Sequence, residues 1–260
     1  MTAESVFKFH VVFYGKSDKL LKESVKNGNL GYIMDKDLID NIFEIDCFDL
    51  LNKIPDGSVD LILTDPPYRQ EAHGRGIAKC RKVFIEMQEW TNLNVEWYKP
   101  EFLDLLLKKC KYPNLFIFGG KKDQFDVMKY AEANKLNFYQ LPIIKSNPIP
   151  TTNNTWLPSE GAIHVTDRKI TKSKDYRDKI PYFLVGQNKE TSHPNEKNLD
   201  MIMRIIKNLT DPGELVVDVF GGSGTTAVAC KRLGRHYIVG EKNPEFVKMA
   251  KERLLQGELF

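Results

Sequence analysis

Asp65, Pro66, Pro67 and Tyr68 follow one another at the end of a short apolar run, Val59-Asp60-Leu61-Ile62-Leu63-Thr64. This places a carboxylate, two proline carbonyls and a phenol ring in consecutive positions. Proline brings an acceptor with no competing N–H. The exocyclic amine of a nucleobase is a poor nucleophile, because its lone pair is delocalised into the ring. Two acceptors gripping its two N–H bonds would hold the nitrogen closer to tetrahedral and localise that pair. The Asp65 carboxylate could be one acceptor and the Pro66 carbonyl the other. Tyr68 could stack on a base extruded from its helix, as chemistry on a base requires. A plainer reading also fits: a strand-ending turn with Asp65 as a cap, since four-residue motifs also arise by chance.

The element that must present these groups is short and closed by two prolines, which favours a buried strand over a helix. Pro67 holds Pro66 in extended geometry, so no helix runs through the pair. In open α/β sheets, ligands bind just beyond the carboxyl ends of strands. A second stretch has the same layout. An apolar strand over 215–219 leads into Phe220-Gly221-Gly222-Ser223-Gly224-Thr225-Thr226, then a helix over 226–233, Gly234, a strand over 236–239, and Glu241. A glycine loop between strand and helix lets backbone approach a ligand and points helix N–H groups at it. Glu241 lies about 20 residues beyond Asp218, the spacing of an acid that binds ribose hydroxyls. Together these read as a site for an adenosine-containing cofactor. Gly222-x-Gly224-x-x-Ala227 also fits the dinucleotide fingerprint, so a nicotinamide or flavin site stays open here, as does a turn needed only for packing.

The remaining pattern is a strand–helix alternation. Strands are expected over 42–46, 114–118, 138–144, 162–165 and 182–185. Helices are expected over 47–53, 100–110 and 123–134, with another capped by Asn195 and running to 208. This rhythm indicates an α/β, doubly wound, mostly parallel sheet. Residues 1–41 read as an extension of unclear role, with a strand over 6–14 and a short helix over 20–25. Residues 42–260 read as one catalytic domain with a small inserted element around 145–192. The stretch 69–95 shows no regular element and is locally basic, with Arg69, Arg75 and Lys79. The mixed-charge run over 168–179 reads as a solvated hairpin or loop, with a phosphate contact as the alternative.

Bulk properties bound the partners. The chain has 260 residues, 42% hydrophobic, with a formal net charge of +3. That permits nucleic-acid binding without arguing for it. Cys47, Cys80, Cys110 and Cys230 form no C-x-x-C pair, so neither a disulfide nor a zinc site is expected and a reducing cytoplasm is the default. No signal peptide, membrane span or membrane partner is expected.

The two constellations together resemble those of the amino-group DNA methyltransferases, which use S-adenosylmethionine. Asp65-Pro66-Pro67-Tyr68 is similar to that family's catalytic motif and Phe220-Gly221-Gly222-Ser223-Gly224-Thr225 to its cofactor loop. The catalytic motif comes first, an order similar to the permuted group called the beta class. The resemblance covers most of 42–68 and 192–254. It implies a Rossmann-like sheet with a reversed edge hairpin. It also implies cofactor contacts from Asp46, Cys47, Asp65, His193, Lys197, Asp218, Phe220, Gly222, Ser223, Gly224, Thr225, Thr226, Glu241, Lys242 and Asn243. His193-Pro194-Asn195-Glu196-Lys197 would border the methionine end, and Lys145-Ser146-Asn147-Pro148 would lie near the target pocket. Arg69, Arg75, Lys79, Lys145 and Asn147 are the expected nucleic-acid contacts. The implied reaction is methylation of adenine N6 in double-stranded DNA, leaving S-adenosylhomocysteine. Cytosine N4, an RNA substrate and an inactive nucleic-acid-binding subunit are the alternatives; a homodimer and a cognate restriction nuclease are open options. Asn198 departs from the proline usual in the family, which bears on a helix start. The space for a target-recognition domain is small, so 69–95 or the first forty residues are expected to share sequence readout.

Overall fold

Among the described residues, eight strands form one sheet in the order β1-β8-β7-β2-β3-β5-β4-β6. The computed structural model describes residues 35–68, 97–146, 160–170, 172–186, 191 and 196–256. These belong to one compact unit, Met34–Phe260. The strand and helix expected within the first 33 residues lie outside the described residues, as does the loop 69–95.

In chain order the elements are β1 (Asn41–Glu44), α1 (Cys47–Lys53), β2 (Leu61–Thr64), α2 (Pro100–Lys109), β3 (Asn114–Gly119), α3 (Lys121–Ala133), β4 (Asn137–Lys145), β5 (Glu160–Thr166), a 3-10 turn (Tyr176–Lys179), β6 (Phe183–Val185), α4 (Leu199–Leu209), β7 (Leu215–Asp218), α5 (Thr225–Leu233), β8 (His236–Glu241) and α6 (Pro244–Gln256). Local signals explain the helix starts. Asp46 caps α1 by accepting from the Phe48 N–H, and Pro100 opens α2, where its missing N–H is harmless. The cap of α4 corrects the expectation of Asn195: Asn198 takes that place, its side chain accepting from the Met201 N–H at 2.9 Å. A cap must sit immediately before the first helical residue, and that residue is Leu199. The Asn-for-Pro departure thus supplies a cap of its own. Within the charged run, Tyr176–Lys179 forms a 3-10 turn with Asp175 as its cap and no buried residue.

β2 and β7 are buried along their whole length, as expected for parallel strands covered on both faces. Their residues alternate between two cores. Leu61, Leu63 and Val216 face the layer of α4, α5 and α6. Ile62 and Val217 face the layer of α1, α2 and α3. β5 runs antiparallel to both β3 and β4, and β6 returns parallel to β4 at the margin. The reversed strand therefore lies inside the sheet. Cys47, Cys110 and Cys230 are buried and unbridged. Among the described residues, no helix is long and apolar enough to cross a membrane.

β2 and β7 are parallel neighbours. From β7 the chain winds through α5 to β8 on one side, whereas from β2 it winds through α2 to β3 on the other. The sheet's order reverses between them, and a crevice opens at such a switch point beyond the carboxyl ends.

Candidate active site

The tetrapeptide and the glycine loop leave the sheet from adjacent strand ends. A hydrogen bond joins them there: Thr64, the last residue of β2, donates its hydroxyl to Asp218 Oδ1 at 3.2 Å across 154 residues of chain. Asp218 also accepts from the Phe220 N–H at 3.1 Å and from the Thr226 hydroxyl at 2.6 Å. It is 5% exposed, and burial pushes its pKa up to about 6 against these bonds, which favour the anion. Its place is beneath the loop, where it holds the turn in shape.

The glycines are needed for close approach. Gly224 has φ +74°, and a Cβ there would stand 2.7 Å from Ala250 Cβ of α6. Gly221 donates to the Gly240 carbonyl at 2.8 Å, and a Cβ on it would overlap Val239. Glu241, at the end of β8, accepts from the Gly222 N–H at 2.9 Å and the Asn243 N–H at 2.7 Å. Burial raises its pKa despite those bonds. Each oxygen keeps a lone pair for a hydroxyl donor. Phe220 packs edge-on to Trp97, with centroids 4.9 Å apart, in a cluster with Phe48 and Phe102.

At the other wall, the Tyr68 hydroxyl donates to Asp65 Oδ1 at 2.7 Å. Lys197 reaches Asp65 Oδ2 at 3.0 Å, the Tyr68 hydroxyl at 3.0 Å and Glu160 at 3.3 Å. Its ammonium also stands 4.9 Å from the Phe118 ring centroid. Burial disfavours the charge on Lys197, yet Asp65 and Glu160 outweigh it and hold the pKa above the ordinary lysine value. Burial likewise opposes ionisation of Glu160, but Lys197 and Lys145 bring its pKa down. Burial, then Asp65 and Glu160, push Tyr68 well up, so its ring is neutral at physiological pH. Asp65, Lys197, Glu160 and Lys145 thus alternate in sign along the cleft wall.

Several expected residues act within the protein. The Ser223 and Thr225 hydroxyls lie 3.2 Å apart, and Arg253 reaches the Thr225 hydroxyl at 2.9 Å. Thr226 serves Asp218. Asn243 Oδ1 accepts from the Glu245 N–H at 2.8 Å, at the start of α6. Asp46 caps α1 and meets Lys242 at 3.4 Å. Cys47 is buried beside Asp46, and burial first, then Asp46, push its thiol up to about 12. Lys145 is bonded to Glu160. His193, Arg69, Arg75, Lys79 and Asn147 lie outside the described residues.

Three residues here carried no sequence signal. Glu160 begins the reversed strand. Arg253 lies on α6 and pairs at 3.0 Å with Glu196, their side chains 6% and 2% exposed. Tyr98 places its hydroxyl 3.2 Å from the Pro66 carbonyl oxygen. Only the fold brings them to the site.

The comparisons with known proteins agree with this geometry. A family model described as DNA methylase, N6_N4_Mtase, matches residues 59–252. Type II methyltransferase M2.MboI of Moraxella bovis is 28% identical over 242 residues, spanning 82% of this chain and 86% of its own length. Type II methyltransferase M.HinfI of Haemophilus influenzae is 26% identical over 249 residues, spanning 84% and 69%. A solved M1.HpyAVI–SAM complex superposes with a TM-score of 0.62 at 26% identity, covering 82% of this chain and 99% of that one. The cytosine-N4-specific PvuII DNA methyltransferase gives 0.59 at 18% identity over 84% and 90%, a likeness of fold alone. Both constellations lie within the matched region, on adjacent strand ends of one Rossmann-like sheet, and the chain belongs to this family of DNA methylases.

Proposed function

We propose that the protein transfers a methyl group from S-adenosylmethionine to the exocyclic N6 amine of an adenine flipped out of double-stranded DNA. The observation that carries this reading is the Thr64–Asp218 bond, which seats the amine-gripping tetrapeptide beside the glycine loop. The residues present suit the cofactor. Glu241 retains acceptor capacity for a ribose diol, the glycine loop leaves β7 beside it, and Phe220 offers an aromatic wall. The M1.HpyAVI structure, a SAM complex, supports the same assignment. When bound, S-adenosylmethionine supplies a methyl carbon made electrophilic by its sulfonium.

Asp65 and the Pro66 carbonyl orient the target amine. Asp65 Oδ1 already accepts from Tyr68 and Oδ2 from Lys197, but a carboxylate offers about four lone-pair sites, so one N–H can still be taken. Tyr68, neutral and held by its hydroxyl, presents its ring for stacking. Orientation and electrostatic complementarity drive the step. The amine proton passes to the Asp65 carboxylate, and on to solvent, after transfer has made the methylated nitrogen acidic, so Asp65 need not be a strong base. By resemblance to the family, in which Ser at the head of the motif is commoner for cytosine N4, Asp65 favours adenine. Both curated relatives are designated Type II methyltransferases, which supports a modification role alongside a cognate nuclease.

The test is Asp65→Ala with tritiated S-adenosylmethionine and unmethylated genomic DNA, followed by nucleoside analysis. The variant should bind the cofactor and transfer nothing, and the wild type should yield N6-methyladenine. N4-methylcytosine as product would move the reading to cytosine. Near-normal transfer by the variant would refute the mechanism.

A further inference from the structure

We infer that Tyr98 is a positioning residue for the reaction, aligning the Pro66 carbonyl that grips the target amine; this rests on the function proposed above. Tyr98 lies just before α2 and is 3% exposed. Its hydroxyl is 3.2 Å from the Pro66 carbonyl oxygen and 3.0 Å from the Phe118 carbonyl oxygen, within donating distance of both. Pro66 follows β2 and Phe118 belongs to β3, so the single phenol proton, shared between the two carbonyls, bridges two adjacent strand ends.

The peptide after Pro66 has no proline N–H on its far side either, because Pro67 follows. Pro66 lies beyond Thr64, the last paired residue of β2, and the Tyr98 hydroxyl supplies a donor to its carbonyl. A carbonyl oxygen has two lone pairs. A buried phenol on one of them sets the direction of the other, which is the one the amine needs. Gly119 makes the arrangement sterically accessible: a Cβ there would stand 3.2 Å from Tyr98 Cε1 and 3.4 Å from its hydroxyl.

The experiment uses the full chain, tritiated S-adenosylmethionine and unmethylated genomic DNA in single-turnover mode. Tyr98→Phe keeps the ring and removes only the hydroxyl. The methyl-transfer rate should fall about tenfold, with cofactor Kd within about twofold of wild type. Leu106→Val, which trims the apolar face of α2, the helix that follows Tyr98, serves as a stability control and should lower Tm while keeping the rate. A Tyr98→Phe rate within twofold of wild type, beside an inactive Asp65→Ala, overturns the Tyr98 role alone. A parallel loss of rate and cofactor affinity overturns it too, because that marks a general structural effect. A wild-type protein that methylates no DNA overturns the function and this role together.

Discussion

Arg253→Met should weaken the fold and the cofactor loop together. Arg253 stands at the junction of three segments. One guanidinium nitrogen meets Glu196 at 3.0 Å, and the other reaches the Thr225 hydroxyl at 2.9 Å and the Ser223 carbonyl at 3.4 Å. Both charged side chains are nearly dry, at 6% and 2% exposure. Breaking a buried pair by removing one partner costs about 3–5 kcal/mol, because the remaining charge loses its compensation. Glu196 still accepts from the Thr191 N–H at 2.8 Å and the Thr191 hydroxyl at 2.6 Å, so the lower end, about 3 kcal/mol, is expected. In a domain of this size that corresponds to a Tm lower by about 6–12 °C. Loss of the bond to Thr225 should also loosen the Gly221–Thr225 turn and weaken S-adenosylmethionine binding about tenfold, roughly 1.4 kcal/mol. Urea unfolding measures the first effect and isothermal titration the second. Adding Glu196→Gln to Arg253→Met should recover about 1–2 kcal/mol, since the stranded charge is gone. Stability within about 1 kcal/mol of wild type, or strictly additive single and double variants, would refute the reasoning.

Three further outcomes are expected. Asn198→Ala should cost about 1 kcal/mol by removing the α4 cap, whereas Asn198→Gly should cost only a few tenths, both read from urea midpoints. Gly221→Ala should impair folding or cofactor binding because its Cβ overlaps Val239, and Val239→Ala in the same chain should restore part of the loss; thermal melts and titration report both. Asp218, with its folded pKa near 6 against an ordinary 3.8, binds its proton more tightly when folded, so its contribution to stability is unfavourable above pH 6 and recovers on acidification towards 3.8. The stability of wild type relative to Asp218→Asn should therefore rise by about 2.4 kcal/mol between pH 7.5 and pH 4, and a flat difference across that range would contradict the burial of the carboxylate.

Much of the site is legible in the chain because its chemistry is local. Asp65-Pro66-Pro67-Tyr68 and the glycine loop each occupy one contiguous stretch, and proline and glycine restrict the backbone wherever they occur. The strand–helix rhythm is legible for the same reason, since apolar runs of β2 and β7 report burial on both faces. For α4 the sequence offers two asparagines three residues apart, Asn195 and Asn198, both of a capping residue type, and only the start of the helix at Leu199 selects Asn198.

Composition and spacing alone thus determine that a carboxylate–proline turn and a glycine loop each close a buried strand. Whether those strands are neighbours is a matter of sheet order, a long-range choice that no short window contains; the structure sets β2 beside β7. The same holds for Glu160, Arg253 and Tyr98. Each is an ordinary residue in its own segment and gains its role from a partner far along the chain, because burial of a charge or a hydroxyl is tolerable only where the packed fold supplies the matching group.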